Sequence, residues 1–91
     1  MPAPLDSNRP RLASGCRWGG SPEARVLLIP EGAIRVRGTG ERILQLCDGS
    51  HTFAELVSQL EQEYKQDEPA RIREEASRFL EQLHAKRIVD Y

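Results

Sequence analysis

The sequence predicts an α+β domain in which a three-stranded antiparallel sheet is followed by three helices. Three observations carry this. An apolar run over residues 25–29 and an alternating run over 33–37 flank Pro30-Glu31-Gly32, the pattern of an antiparallel hairpin. Beyond Gly38 the apolar spacing changes from two to about 3.6 residues, in three successive segments. The chain has 91 residues, room for one small domain. A chain this short buries only roughly 60–65% of its unfolded surface, so the core is thin.

The elements follow in order. Met1 to Pro10 holds three prolines, an Asp, a Ser and an Asn around a single Leu. Residues 1–10 are therefore expected to be a disordered tail, and 11–91 the domain. Leu12, Ser14, Cys16 and Trp18 share one parity and suggest a weak first strand. Trp18-Gly19-Gly20-Ser21-Pro22 reads as a turn. Arg25 to Ile29 is a short, strongly apolar second strand, with Val26, Leu27, Leu28 and Ile29 in succession. In the third, Ala33 to Arg37, Ile34 and Val36 point one way and Arg35 and Arg37 the other.

Thr39 is the expected N-cap of the first helix, with Glu41 in its first turn. Ile43, Leu44, Leu46 and Cys47 form its apolar face, and Gly49 stops it. Thr52 and Glu55 make a capping box for the second helix. Its stripe is Phe53, Leu56, Val57, Leu60 and Tyr64. Pro69 suits the first turn of the third helix. There Ile72, Ala76, Phe79, Leu80 and Leu83 fall within an arc of about 80–100° and are expected in the core. Ile88-Val89 adds a short apolar end. The tightly joined first two helices resemble a helix-turn-helix. The architecture expected is winged-helix-like, with the hairpin placed first.

Composition narrows the function. Hydrophobic residues are 38% and charged residues 30%, which suits a folded, soluble domain. The net charge of -1 argues against a general nucleic-acid binder. No apolar run is long enough for a membrane span, and no secretory signal is visible, so a cytoplasmic protein is expected. The charge is split. Residues 1–38 carry six Arg against three acids, and residues 39–91 seven basic residues against eleven acids. The sheet half is basic and the helical half acidic.

No catalytic constellation assembles, so no catalytic residue, metal or cofactor is expected. Gly38-Thr39-Gly40 is only a fragment of a phosphate-binding loop, and fits a strand-to-helix turn. Cys16 and Cys47 form no CxxC pair, and a zinc set with His51 and His84 would cross a turn. Cys47 sits at the negative end of a helix, which disfavours a thiolate. Glu74 and Glu75 project about 100° apart and read as solvated. His84 lies at the border of an apolar stripe.

What remains is backbone. If the strand of Ala33, Ile34, Arg35, Val36 and Arg37 lies at a sheet edge, its unpaired groups can accept another strand. Its arginines would favour an acidic peptide, or else protect the edge from self-association.

The run Leu27-Leu28-Ile29-Pro30-Glu31-Gly32, then Thr39, then Ile43-Leu44-Gln45-Leu46-Cys47-Asp48-Gly49, then Thr52, Leu56, Leu60 and Tyr64, resembles the PqqD family. Phe79-Leu80, Leu83 and Ile88-Val89 fit that family's last helix and tail. The resemblance covers roughly residues 11–90. Gly38 and Gly40 depart from the family's usual Asn and Ala. The resemblance implies a non-catalytic peptide chaperone of pyrroloquinoline quinone biosynthesis, a recognition element for ribosomal peptides. Such a protein binds the leader of the precursor peptide PqqA and presents it to the radical S-adenosylmethionine enzyme PqqE, which cross-links a Glu and a Tyr. The leader would add beside the third strand, against the last helix. The expected peptide-binding residues are then Ala33, Ile34, Arg35, Val36 and Arg37, with Arg71, Glu75 and Arg78 on the helix flank. One alternative is a winged-helix DNA-binding regulator, but Glu55, Glu61 and Glu63 on the second helix would repel phosphates. Another is a small subunit completing a different protein's active site.

Overall fold

In the computed structural model, which describes residues 3–91, four strands come first: β1 (Arg11–Leu12), β2 (Arg17–Ser21), β3 (Ala24–Ile29) and β4 (Gly32–Arg35). Helices α1 (Gly38–Gln45), α2 (Phe53–Glu63) and α3 (Pro69–Ala85) follow, and β5 (Val89–Asp90) closes the chain. Strands β2, β3 and β4 form a three-stranded antiparallel sheet in that order. The winged-helix-like α+β arrangement is thus present.

The strand boundaries differ from expectation for local reasons. The Trp18–Ser21 segment, expected as a turn, is paired: Trp18 lies opposite Leu27 and Ser21 opposite Ala24. The turn is the Pro22-Glu23 step beyond it. Gly20 makes this possible. Its φ is +82°, and a Cβ there would lie 2.4 Å from the Ala24 carbonyl oxygen. Leu12 and Trp18, expected in one strand, belong to two sheets. Leu12 pairs with Val89, and Arg11 with Asp90. At the other end β4 stops at Arg35, so Val36 and Arg37 leave the ladder.

Thr39 does not cap α1. The residue before the helix is Arg37, and no side chain caps it. Gly38, at φ +63°, lets the backbone turn into the helix before Thr39 is reached. The helix also ends early, at Gln45, ahead of Gly49. In α2 the capping box is complete. The Glu55 N–H donates to Thr52 Oγ1 at 3.1 Å, and the Thr52 N–H to Glu55 Oε1 at 2.7 Å. Thr52→Ala is expected to cost about 1 kcal/mol in urea denaturation.

Residues of the expected tail are tied down. The Phe53 N–H donates to the Asn8 carbonyl at 2.7 Å, and the Ala54 N–H to that of Asp6 at 3.2 Å. These are the first two positions of α2, whose N–H groups have no partner within the helix. The N-terminal segment therefore caps α2 with backbone oxygens. Pro10 is fully buried, and Asp6 pairs with Arg73 of α3. Met1 and Pro2, the start of the expected tail, lie outside the described residues.

Helix α3 ends on a pair of backward hydrogen bonds, Ile88 N–H to Leu83 O at 2.9 Å and Arg87 N–H to His84 O at 3.0 Å. This motif places a residue in the left-handed region, where glycine is usual. Here it is Arg87, at φ +61°. Arg87→Gly is expected to raise stability by about 0.5–1 kcal/mol by removing that strain, read as a higher denaturation midpoint.

The core lies between the sheet and the helices. Leu27 of the middle strand is fully buried, with Leu44, Phe53, Leu56, Leu60, Leu80 and Val89 around it. Ile72, Ala76 and Leu83 join them, as expected. Phe79 does not. It is only half buried, at the rim of the cluster. Its place at the end of the apolar arc turns it away from α2 and toward α1.

A fork joins α1 to α2: Arg42 Nε and Nη2 donate to Glu63 at 2.7–3.0 Å. Hydrogen bonding to Arg42, then to Gln59, holds the Glu63 carboxyl below its usual 4.5. A depressed carboxyl stabilises the fold above its unfolded pKa and loses that contribution as pH falls through the folded value. The melting temperature is expected to fall below about pH 4.5, and less steeply in Glu63→Gln. Both groups are about a third exposed, so the effect is small.

Candidate functional site

Strand β4 is one edge of the three-stranded sheet. It exists because Pro30-Glu31 closes a two-residue loop, with Ile29 opposite Gly32. The alternation of an antiparallel ladder, counted from that closing pair, turns the backbone groups of Ala33 and Arg35 outward. Both residues are exposed. Ile34 is half buried, pairs with Leu27 and packs on the core. Val36 is also half buried against the core, just past the strand. Arg35, Val36 and Arg37 line a hollow of ≈ 220 Å³ with Glu23, Ala24, Arg25 and Glu41. A hollow of this size suits a side chain or two.

On α3, Arg71, Glu75 and Arg78 are all exposed. Arg71 Nε meets Glu75 Oε1 at 3.2 Å, and Arg78 Nη2 meets Glu74 Oε1 at 2.7 Å. These are i,i+4 surface pairs, individually weak and readily exchanged for a ligand's charges. Arg71 and Glu75 lie on the same flank of the helix as Phe79, by helical spacing. Arg78, seven residues on from Arg71, shares that flank to within about 20° and also borders the outer face with Ala70, Arg73, Glu74, Ser77 and Glu81.

Two residues outside the expected set join strand to helix. A Cβ on Gly40 of α1 would come within 3.2 Å of Phe79 Cζ and 3.3 Å of Val36 Cγ1. The Phe79 ring and the Val36 methyl thus converge over a position kept empty by glycine. Phe79 carries a visible signal, since it ends the apolar arc next to the polar flank. Gly40 carries none.

The cysteines are separate from this region. The Cys47 thiol is buried and donates to the Ile43 carbonyl at 3.2 Å. Burial, and then the Asp48 charge, push its pKa up to about 12, so it is neutral at ordinary pH. Among the described residues no helix is long and apolar enough to cross a membrane.

These features define a small winged-helix-like module whose accessible chemistry is an open strand edge, a positively charged sheet and an apolar junction with the last helix. The family signature described as "Coenzyme PQQ synthesis protein D (PqqD)" matches residues 24–89, and the chain belongs to the PqqD family. A Pseudomonas aeruginosa protein named "PqqA binding protein" is 33% identical over 88 residues, 94% of each chain. A Methylococcus capsulatus protein of the same name is 40% identical over 48 residues, 53% of this chain; that match spans about half, 52%, of the relative. Among solved structures, the PqqD part of Methylobacterium extorquens PqqCD superposes with a TM-score of 0.76 at 30% identity, over 98% of this chain and 96% of that one. That solution NMR structure is described as a functional, stand-alone recognition element for ribosomally synthesised and post-translationally modified peptides.

Proposed function

We propose that the chain is a non-catalytic cytoplasmic peptide chaperone that binds the precursor peptide PqqA and presents it to the radical S-adenosylmethionine enzyme PqqE. The peptide adds as a strand to β4. The Ala33 and Arg35 backbones supply hydrogen bonds, and alternate peptide side chains enter the junction of Ile34, Val36 and Phe79. Arg35 and Arg37 favour acidic residues on the peptide, and Arg71, Glu75 and Arg78 bound the far side of the groove. The observation that carries this reading is the exposed β4 edge, with Val36 just past it converging on Phe79 of α3, in a chain whose relatives are named for binding PqqA. The test is an NMR titration of the labelled chain with PqqA. Shifts are expected in residues 33–37 and along α3 from Arg71 to Phe79. Shifts confined to α2, with 33–37 silent, would overturn it. Gel filtration of chain, peptide and enzyme together tests presentation, with one co-eluting ternary species expected.

A further inference from the structure

The outward face of the three-stranded sheet has its own chemistry. The ladder sets two rows across it: Arg17 beside Leu28 beside Ala33, and Gly19 beside Val26 beside Arg35. Side chains alternate along a strand. Trp18, Leu27 and Ile34 pack into the core, so these six residues face the other way. Val26 and Leu28 are half buried but take no part in the core packing. Leu28 leans over Gly19, where a Cβ would come within 2.8 Å of Leu28 Cδ1. The face therefore has an apolar centre and an arginine at each of two diagonal corners.

Those arginines differ from the ones on the helices. Arg42, Arg71, Arg73 and Arg78 each rest on a carboxylate of this chain. Among the described residues, Arg17 and Arg35 have no side-chain hydrogen bond or ion pair. Positive charge left unneutralised around an apolar patch repels a second copy of the same face and attracts an acidic surface.

We propose that the β2–β3 part of this face, centred on Arg17, Val26 and Leu28 and set back from the β4 edge, is a protein-docking surface for a partner that presents an apolar side chain flanked by carboxylates. The inference rests on the peptide-presenting function proposed above, and assigns the surface to the enzyme that receives the peptide. Strand addition extends the sheet sideways and leaves its outward face open. One molecule then holds the peptide by its edge and the enzyme by its face.

The test uses the full chain as wild type, Arg17→Glu and Leu28→Thr, each checked for an unchanged melt. Each is titrated separately with PqqA, with PqqE and with a duplex DNA. Both variants are expected to bind peptide within about twofold of wild type, since neither residue lies on the β4 edge. Arg17→Glu is expected to weaken enzyme binding by about tenfold or more, and wild-type enzyme binding to weaken with added salt. Leu28→Thr is expected to weaken it with little change in salt dependence. Enzyme binding unchanged in both variants would overturn the docking face and leave the peptide edge standing. A wild type that binds peptide but not enzyme would instead overturn presentation itself, and this face with it. Duplex DNA held by the wild type and lost in Arg17→Glu would assign the face to nucleic acid and overturn the proposal.

Discussion

Leu80→Ala is expected to lower stability by about 2–5 kcal/mol. Leu80 is fully buried in the core cluster, at the edge of the α3 stripe opposite Phe79. Truncation leaves a cavity that a tightly packed core fills only in part. A domain of this size is stabilised by only about 5–15 kcal/mol in total, so the variant is expected to melt far below wild type or to lose its cooperative transition. Phe79→Ala is the informative contrast. Phe79 is half buried and already touches solvent, so its truncation exposes less new cavity and is expected to cost less than Leu80→Ala. If Phe79→Ala proved the more damaging in urea denaturation, the placement of α3 about its axis would be wrong.

Ala33→Pro is expected to have the largest effect on peptide binding. Proline removes the outward-facing N–H and fixes φ, which bends an edge strand. One lost hydrogen bond is worth about 0.5–1.5 kcal/mol net. Because register along the edge goes with it, the loss of affinity for PqqA is expected to exceed about tenfold. The bonds from β4 to β3 are made by its other residues, so the fold should survive, which a melt checks. Replacing Arg35 and Arg37 together by serine is expected to weaken binding less, with a loss that shrinks at high salt. Unchanged affinity in Ala33→Pro, with more self-association in the arginine variant, would show that the edge is guarded rather than used.

Much of the fold could be read from residues near each other in the chain. The β3–β4 hairpin announces itself through Pro30-Glu31-Gly32 between two apolar runs. The Thr52–Glu55 box starts α2, and the spacing of Ile72, Ala76, Leu80 and Leu83 orients α3. The paired part of the expected edge strand, Ala33 to Arg35, was legible for the same reason, since alternation and a hairpin turn are local patterns, but the alternation runs on through Val36 and Arg37 past the end of the strand. The resemblance to the PqqD family rests on those same runs.

Other features depend on residues that meet only when the chain is folded. Two-residue strands such as β1 and β5 are too short to show a period, so their pairing of Leu12 with Val89 leaves no local mark. The N-terminal segment looks like a tail because its few apolar residues carry no pattern. It is held instead by carbonyls that meet the bare N–H groups of Phe53 and Ala54. Gly40 reads as a weak helix residue until Val36 and Phe79 close over it. The same holds for charge. Sequence counting determined that the sheet half is basic, by local composition alone. Only the tertiary structure decided which arginines are neutralised, because an ion pair such as Arg42 with Glu63 is made by two residues that helix packing, not chain order, brings within reach.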